Sequence, residues 1–334
     1  MKRIGLIYSQ IYTYENLCMA FMKAAKGKHL RKDVIIFKET FDSNINKLQQ
    51  QLIEHSPDIG NYIFFKVHDP KPRDICAANF NERILHHAIM NVCEPYLDSF
   101  AIYDSYACRK NKGSHRAVKR AKSFCNKYKW YLKMDVKKYF DSIDHLILIE
   151  LLARRFKDVD LLDLFSKIFN TYHTQTGKGL PIGNLISQHS ANFYLGTFDH
   201  WIKETLKING YIRYMDDFLV FGTSRHHLKE TLKRIKHYLN NRLSLNLKSN
   251  VQLNKTKYGI PFLGYRVFPE KILLNTQSRK RFIDKFKLYE NNWLTGKWNT
   301  EELVRHVEPL MAFAQKADTH GFRNNIINKF GVWT

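Results

Sequence analysis

The chain has 334 residues, 44% hydrophobic and 14% aromatic, which is enough apolar material for one large or two ordinary cores and too much for a disordered chain. Lysine and arginine total 54 against 31 acids, and the formal charge of +23, spread along much of the length, favours a polyanionic partner such as nucleic acid. No apolar stretch reaches the length of a membrane span and the opening "MKRIGLIYSQIYTYENL" lacks the apolar core of a secretory signal, so a cytoplasmic protein is expected.

Two segments before residue 65, "YENLCMAFMKAAKG" and "FDSNINKLQQQLIEH", have helical periodicity, the second opening after a cap expected at Asp42. "NYIFFKVHDPKPRDICA" reads as a strand, a proline-containing turn and a second strand, with Lys71 and Arg73 near the turn. "NFNERILHHAIMNVCEPYL" resumes a helical period through Ile84, Ala88, Ile89 and Val92, and Pro95 is expected to stop it. "YACRKNKGSHRAVKRAKSFCNKY" is a basic turn entering a basic helix. "KWYLKMDVKKYFDSI" contains a short strand ending at Asp135, and residues 145–172 return to helix.

"TGKGLPIGNLISQHSANFYLGTFDHWIKETLK" joins a Gly/Pro-rich loop, suited to close backbone approach to a ligand, to a helix with Ala191, Leu195, Phe198, Ile202 and Leu206 on one face. "YIRY" and "FLVFG" form two short strands whose connecting turn holds Asp216 and Asp217. A basic helix, the strand-like "IPFLGYRVF" and a mostly polar helical end follow. With no linker and no repeat, one continuous multi-lobed body is expected. Cys18, Cys76, Cys93, Cys108 and Cys125 lack zinc-site spacing and read as free thiols, and His86, His87 and His189 read as packing or RNA-contact residues.

Carboxylates between apolar strands need a counter-charge, from basic side chains or from metal ions. If the two strand segments lie side by side, Asp135 and Asp216 face one space although 81 positions separate them. Two divalent ions held there would activate a terminal hydroxyl and stabilise charge developing on a transferred phosphate. Magnesium suits all-oxygen ligation completed by water and phosphate, with manganese as a substitute. The plain alternative is a turn with a surface salt bridge. Neighbouring strand residues point apart, which makes Asp217 the weakest of the three as a direct ligand. Arg73 and Lys71 are placed to meet incoming phosphates and "KGLPIGN" to lie beneath a base pair. Basic segments carrying Arg109 and Lys112 on one side, and Lys280 and Arg281 on the other, would follow a nucleic-acid backbone.

"YMDD" at 214–217, "YLKMDVKKYFDSI" at 131–143 and "GLPIGNLISQ" at 179–188, with "PRDI" at 72–75 before them and "FLGYRV" at 262–267 after, resemble in order the catalytic blocks of reverse transcriptases. The resemblance implies an α+β, right-hand polymerase fold: an N-terminal region and main fingers over 1–125, a palm with interleaved fingers elements over 126–268 and a helical thumb over 269–334. It implies Asp135 and Asp216 as principal magnesium ligands with Asp217 completing the trio, and a backbone contact from Val136. Phe140 stands where related enzymes place the aromatic that excludes a 2′-hydroxyl, Tyr139 reads as structural, Gly264 belongs to the grip on the primer end, and Lys248 is a candidate proton donor to pyrophosphate. Core packing, a tight strand bend and a solvated face are the plain alternatives for Phe140, Gly264 and Lys248. Trp293, Trp298 and Trp333 read as anchors rather than base-stacking platforms.

"IGNLISQ" at 182–188, with His189 where intron-type enzymes carry glycine, together with "YACRKNKGSHRAV" and "QKADTHGF", resembles reverse transcriptases of diversity-generating retroelements. That resemblance implies copying of a template-repeat RNA into cDNA from a DNA or RNA primer and dNTPs, with errors opposite adenine, and a small basic accessory protein. Gln188, Ile182 and Arg73 would then shape the pocket around the nascent pair, with local core filling the plain alternative for Ile182. The alternatives are a group II intron-like, retron-like or defence-associated reverse transcriptase without adenine-directed errors, and a non-enzymatic RNA-binding scaffold.

Overall fold

The computed structural model describes residues 3–68 and 72–331; Lys71 and Trp333 lie outside them. The chain opens on α1 (Tyr8–Ile11), α2 (Tyr14–Ala25), α3 (Lys32–Glu39) and α4 (Phe41–Ile53). Thr13 caps α2 by accepting from the Asn16 N–H, and Leu17, Ala20, Phe21 and Ala24, at helical spacing, are buried. The aspartate cap expected for α4 is not formed. The helix starts at Phe41, so Asp42 falls inside its first turn and accepts from Tyr14 Oη at 2.5 Å. A carboxylate there still complements the positive end of the helix.

β1 (Tyr62–Val67) and β2 (Arg73–Ala78) pair antiparallel, from Tyr62↔Ala78 to Val67↔Arg73. α5 (Phe80–Phe100) then runs through Pro95 instead of stopping there. Proline inside a helix costs about 3 kcal/mol. Buried Ile84, Leu85, Ala88, Ile89, Cys93 and Leu97 stand on both sides of it, each contributing about 1–3 kcal/mol by leaving water, and together they outweigh that cost.

Next in order come α6 (Ser114–Lys127), β3 (Trp130–Asp135), α7 (Tyr139–Ser142), α8 (His145–Ala153) and α9 (Val159–Asn170). Asp144 and Asp158 cap α8 and α9. α10 (Leu185–Tyr194), α11 (Gly196–His200) and a π-helical turn at Trp201–Thr205 precede β4 (Tyr211–Tyr214) and β5 (Asp217–Gly222). α12 (Arg225–Leu243), β6 (Gln252–Lys255), β7 (Ile260–Phe262), β8 (Tyr265–Val267) and β9 (Ile272–Leu274) lead to α13 (Thr276–Leu294), α14 (Thr300–Gln315) and α15 (His320–Phe330). "IPFLGYRVF" is thus two strands rather than one, because Leu263 (φ 50°) and Gly264 (φ 88°) form a left-handed two-residue turn between Phe262 and Tyr265.

The strands form a ribbon β1-β2, a four-stranded sheet in the order β4-β5-β3-β6 and a three-stranded sheet β7-β8-β9. The chain folds as two compact units, one of Met1–Arg109, Asp135–Lys207 and Arg234–Ser249, the other of Lys110–Met134, Ile208–Lys233 and Asn250–Thr334. In the first, α2 and α10 pack on α5, burying Leu17, Ala88, Ile89 and Ala191. In the second, α6 packs on β4 and β8 with Ala117, Val118 and Ala121 buried, and α13 packs on α14 and α15. All five cysteines are free. Among the described residues no helix is long and apolar enough to cross a membrane.

Candidate active site

Asp135 closes β3, and the chain beyond it is held by the segment after α12. Lys248 N–H donates to Asp135 C=O and Lys137 N–H to Asn246 C=O, each at 2.8 Å, flanking an antiparallel bridge between Val136 and Leu247. In that pattern the N–H and C=O of Val136 point away from the Leu247 segment, while its side chain is fully buried. The Lys248 ammonium forms an ion pair with Asp135 Oδ1. This oxygen is closed to solvent and makes no directed hydrogen bond, so its charge is compensated by the ammonium alone among the described residues.

β4 and β5 form a hairpin from Tyr211↔Val220 to Tyr214↔Asp217, with Met215 and Asp216 as its two-residue turn. The turn is therefore one residue shorter than expected, and Asp217 is the first residue of β5. Met215 carries φ 55°, and its carbonyl accepts from Arg213 Nη1 at 3.1 Å. Arg213 has no exposed surface, so a buried cation supports the turn that presents Asp216. Asp217 is held from β3: Lys133 Nζ donates to both of its oxygens at 2.5 Å.

A second cluster lies in the first unit, where the loop before α10 runs along β2. Cys76 N–H donates to Ile182 C=O at 2.8 Å and Ala78 N–H to Asn184 Oδ1 at 2.9 Å. Gly183, at φ 124°, lies so close to this strand that a Cβ would come within 2.8 Å of Ile75 Cγ2 and 3.2 Å of the Cys76 carbonyl oxygen. Leu180 N–H donates to Phe140 C=O at 2.9 Å and Gly179 N–H to Ile143 C=O at 2.9 Å, which ties α7 to the same loop. Phe140 and Ile182 are half-buried, while Arg73 and Gln188 are exposed. Tyr139 is buried and its hydroxyl donates to Ala191 C=O, a structural role. Cys108 Sγ lies 3.8 Å from Gln188 Oε1. Burial, reinforced by Glu82, pushes the Cys76 thiol up to about 11 and keeps it protonated.

The remaining expected residues lie on other elements. Arg109 closes the C-terminal end of α5, with Nε on Asp98 Oδ1 at 2.5 Å and Nη1 on the carbonyls of Ile102 and Ser105 at 2.6 and 3.0 Å, so its donors are committed within the protein. Lys112 is half-buried in the turn before α6. Gly264 sits in the β7-β8 turn, where a Cβ would lie 3.0 Å from the Phe313 ring and 3.1 Å from Ser278 Oγ. On α13, Lys280 is exposed and Arg281 lines a groove of about 280 Å³ with Phe282, Lys285, Tyr289 and His306. Trp298 stacks on His306 at 4.2 Å, an anchoring role.

Lys133 and Arg213 are absent from the sequence expectations. Their signal was a single basic residue inside each apolar strand, two and three positions before an acid. Among the described residues no three His, Cys, Asp or Glu side chains converge as a metal cage. The donor chemistry nevertheless suits magnesium. Asp135 offers a hard oxygen with no directed hydrogen bond, and magnesium takes most of its shell from water and phosphate.

Residues 66–267 match the family model described as reverse transcriptase (RNA-dependent DNA polymerase). The chain is 24% identical to the putative COX1/OXI3 intron 2 protein of Saccharomyces cerevisiae, over 75% of this chain and 36% of that protein. It is 25% identical to protein YkfC of Escherichia coli over 60% of this chain and 64% of that protein. It is 27% identical to the group II intron-encoded protein LtrA of Lactococcus lactis over 41% of this chain and 24% of that protein. The chain thus spans between 24% and 64% of the lengths of these relatives. A solved structure of apo telomerase from Candida tropicalis superposes with a TM-score of 0.50 at 11% identity, covering 87% of this chain and 64% of that one, a likeness of fold alone.

Proposed function

Because the chain belongs to the reverse transcriptase (RNA-dependent DNA polymerase) family, we propose that it copies an RNA template into cDNA by magnesium-dependent nucleotidyl transfer. The observation that carries this reading is the sheet order β4-β5-β3-β6, in which the strand closed by Asp135 neighbours the strand opened by Asp217. On this reading the family's right hand has its main fingers within 1–125, its palm within 126–268 and its thumb within 269–334.

Asp135 and Asp216 would hold the divalent ions, two being expected, with the Val136 carbonyl as a further oxygen donor. Magnesium there would supply an activated primer hydroxyl and a counter-charge for the transferred phosphate. The other roles fall to the chain itself. Arg73, with Lys71, binds the triphosphate of the incoming dNTP. Phe140 stands against its sugar, and the 182–184 loop with Gln188 lies under the nascent pair. Lys248 delivers a proton to pyrophosphate as it leaves. Gly264 lets the backbone approach the primer end, and Lys112, Lys280 and Arg281 follow phosphates. Arg109 leaves this set, since its guanidinium is committed to the end of α5.

Intron-encoded proteins among the relatives favour a group II intron-like enzyme acting on structured RNA. Adenine-directed diversification, with a template-repeat RNA and a small basic accessory protein, is the second reading. It is favoured by the "IGNLISQ" segment with His189 after it. Two basic proteins would meet through shared RNA.

Purified protein given a structured RNA, a primer, dNTPs and magnesium should extend the primer, and Asp216→Asn should abolish extension while keeping most RNA binding. Tight RNA binding by the wild type without synthesis would move the assignment to a scaffold. Errors in the cDNA counted by template base separate the two polymerase readings: enrichment opposite adenine supports diversification, and an even spectrum in long products supports the intron-like enzyme.

A further inference from the structure

Lys133 stands two residues before Asp135, on the same face of β3. Its ammonium donates to both Asp217 oxygens at 2.5 Å, and the two side chains are only 17% and 19% exposed. A further contact locates the lysine: Nζ lies 5.6 Å from the centroid of the Phe262 ring, a residue 1% exposed at the end of β7. The ammonium thus meets both a carboxylate and an aromatic ring, each fixed by a strand.

Such a contact decides how the acids share their work. A divalent cation arriving at Asp217 must expel an ammonium that makes two charge-assisted hydrogen bonds in a poorly screened site, and must then tolerate that ammonium nearby. Asp135 differs, because its Oδ1 makes no directed hydrogen bond and the side chain of its lysine partner, Lys248, is 43% exposed, so that solvent screens this pair more than the one at Asp217. We propose that Lys133 is a positioning residue that neutralises Asp217 from within the protein, so that Asp217 fixes the start of β5 and divalent cations are left to the other acids. This rests on the polymerase reading in taking Asp216 as a cation ligand.

Manganese binding to the full-length protein, followed by electron paramagnetic resonance without nucleotide, reads this division directly. Asp216→Asn should weaken binding about tenfold or more, and Asp217→Asn, which removes no ligand but leaves the Lys133 ammonium unpaired, should weaken it clearly less than that. Lys133→Met, by freeing the Asp217 carboxylate, should tighten binding by about threefold or more, and Lys133→Arg should return it to the wild-type value. In urea, the double variant Lys133→Met/Asp217→Asn should be more stable than Lys133→Met alone, since it removes the uncompensated charge; because it removes the neutral pair as a whole, it should bind manganese within about threefold of the wild type, and this carries the test if the single variant does not fold. Equal weakening by Asp217→Asn and Asp216→Asn, or unchanged binding in Lys133→Met, would overturn the proposal. Loss of manganese sensitivity to Asp216→Asn alone would instead sink the polymerase reading, with the Lys133 and Asp217 coupling in urea still measured.

Discussion

Lys248 grips Asp135 twice, through its ammonium on the carboxylate and through its N–H on the Asp135 carbonyl at 2.8 Å. The backbone bond holds the lysine in place whether or not the ion pair is formed, so a ligand that takes over the carboxylate releases an ammonium beside it. Lys248→Ala should therefore slow nucleotide addition by about 100-fold, the lower end of general-acid effects, with a much smaller change in the KM for dNTP. Lys248→Arg keeps the charge but cannot give up its proton, and should recover little of the rate. Single-turnover extension checks this. A raised KM with an unchanged rate would reduce Lys248 to a partner of Asp135.

Phe140 is half-buried on α7, its carbonyl bonded to Leu180 N–H at 2.9 Å and its ring 5.9 Å from Tyr139 in an edge arrangement. The backbone contact fixes the ring's origin, which a steric filter requires. Phe140→Ala should reduce the preference for dNTPs over rNTPs by about tenfold or more, with little loss of stability. Tyr139→Phe, which loses the hydroxyl contact to Ala191, should do the opposite, lowering the urea midpoint and leaving sugar selection intact. Unchanged selection in Phe140→Ala would make the ring a core residue.

The strands ending at Asp135 and flanking Met215 and Asp216 were legible because short apolar runs bounded by acids leave few other local structures. The Lys133 contact was not, since a lysine two residues before an acid reads as a solvated strand face until β5 is known to lie beside β3. The two partners are 84 positions apart. Pro95 misleads for a related reason: the proline rule is local, and the burial that carries α5 past it comes from α2 and α10. "LG" between Phe262 and Tyr265 is a weak hairpin signal beside Asn-Gly, so two strands read as one. Arg109 stands in a basic run that reads as a nucleic-acid contact, and the unpaired carbonyls after α5 that it satisfies carry no sequence signature.

Gly264 tests the turn that the primer end is proposed to approach. At φ 88° any side chain is strained by about 1–2 kcal/mol, and the new Cβ would meet Phe313 at 3.0 Å and Ser278 Oγ at 3.1 Å. Gly264→Ala should lower stability by about that amount and raise the KM for primer while the KM for dNTP stays near wild type. Leu263→Gly, which relieves the left-handed residue beside it at φ 50°, should leave both constants unchanged. A primer KM insensitive to Gly264→Ala would make the turn purely structural.

His87 links acidity to the stability of the first unit. Burial, then the charges of Lys23, His86, Lys28 and Arg83, lower its pKa from 6.5 to about 4. The unfolded chain therefore takes up the proton near pH 6.5 while the folded chain resists it until about pH 4. Stability is complete above the upper value and is lost progressively as the pH falls through that window. The slope is at most about 1.4 kcal/mol per pH unit, and less because the ring is only half-buried. His87→Gln removes the titration without the ring's charge, so the urea midpoint of the wild type should fall further than that of the variant between pH 7 and pH 4.5. Parallel losses in the two proteins would place the acid sensitivity elsewhere. A larger loss in the variant would reverse the sign of the argument, because it would mean that the folded chain binds the His87 proton more tightly than the unfolded one.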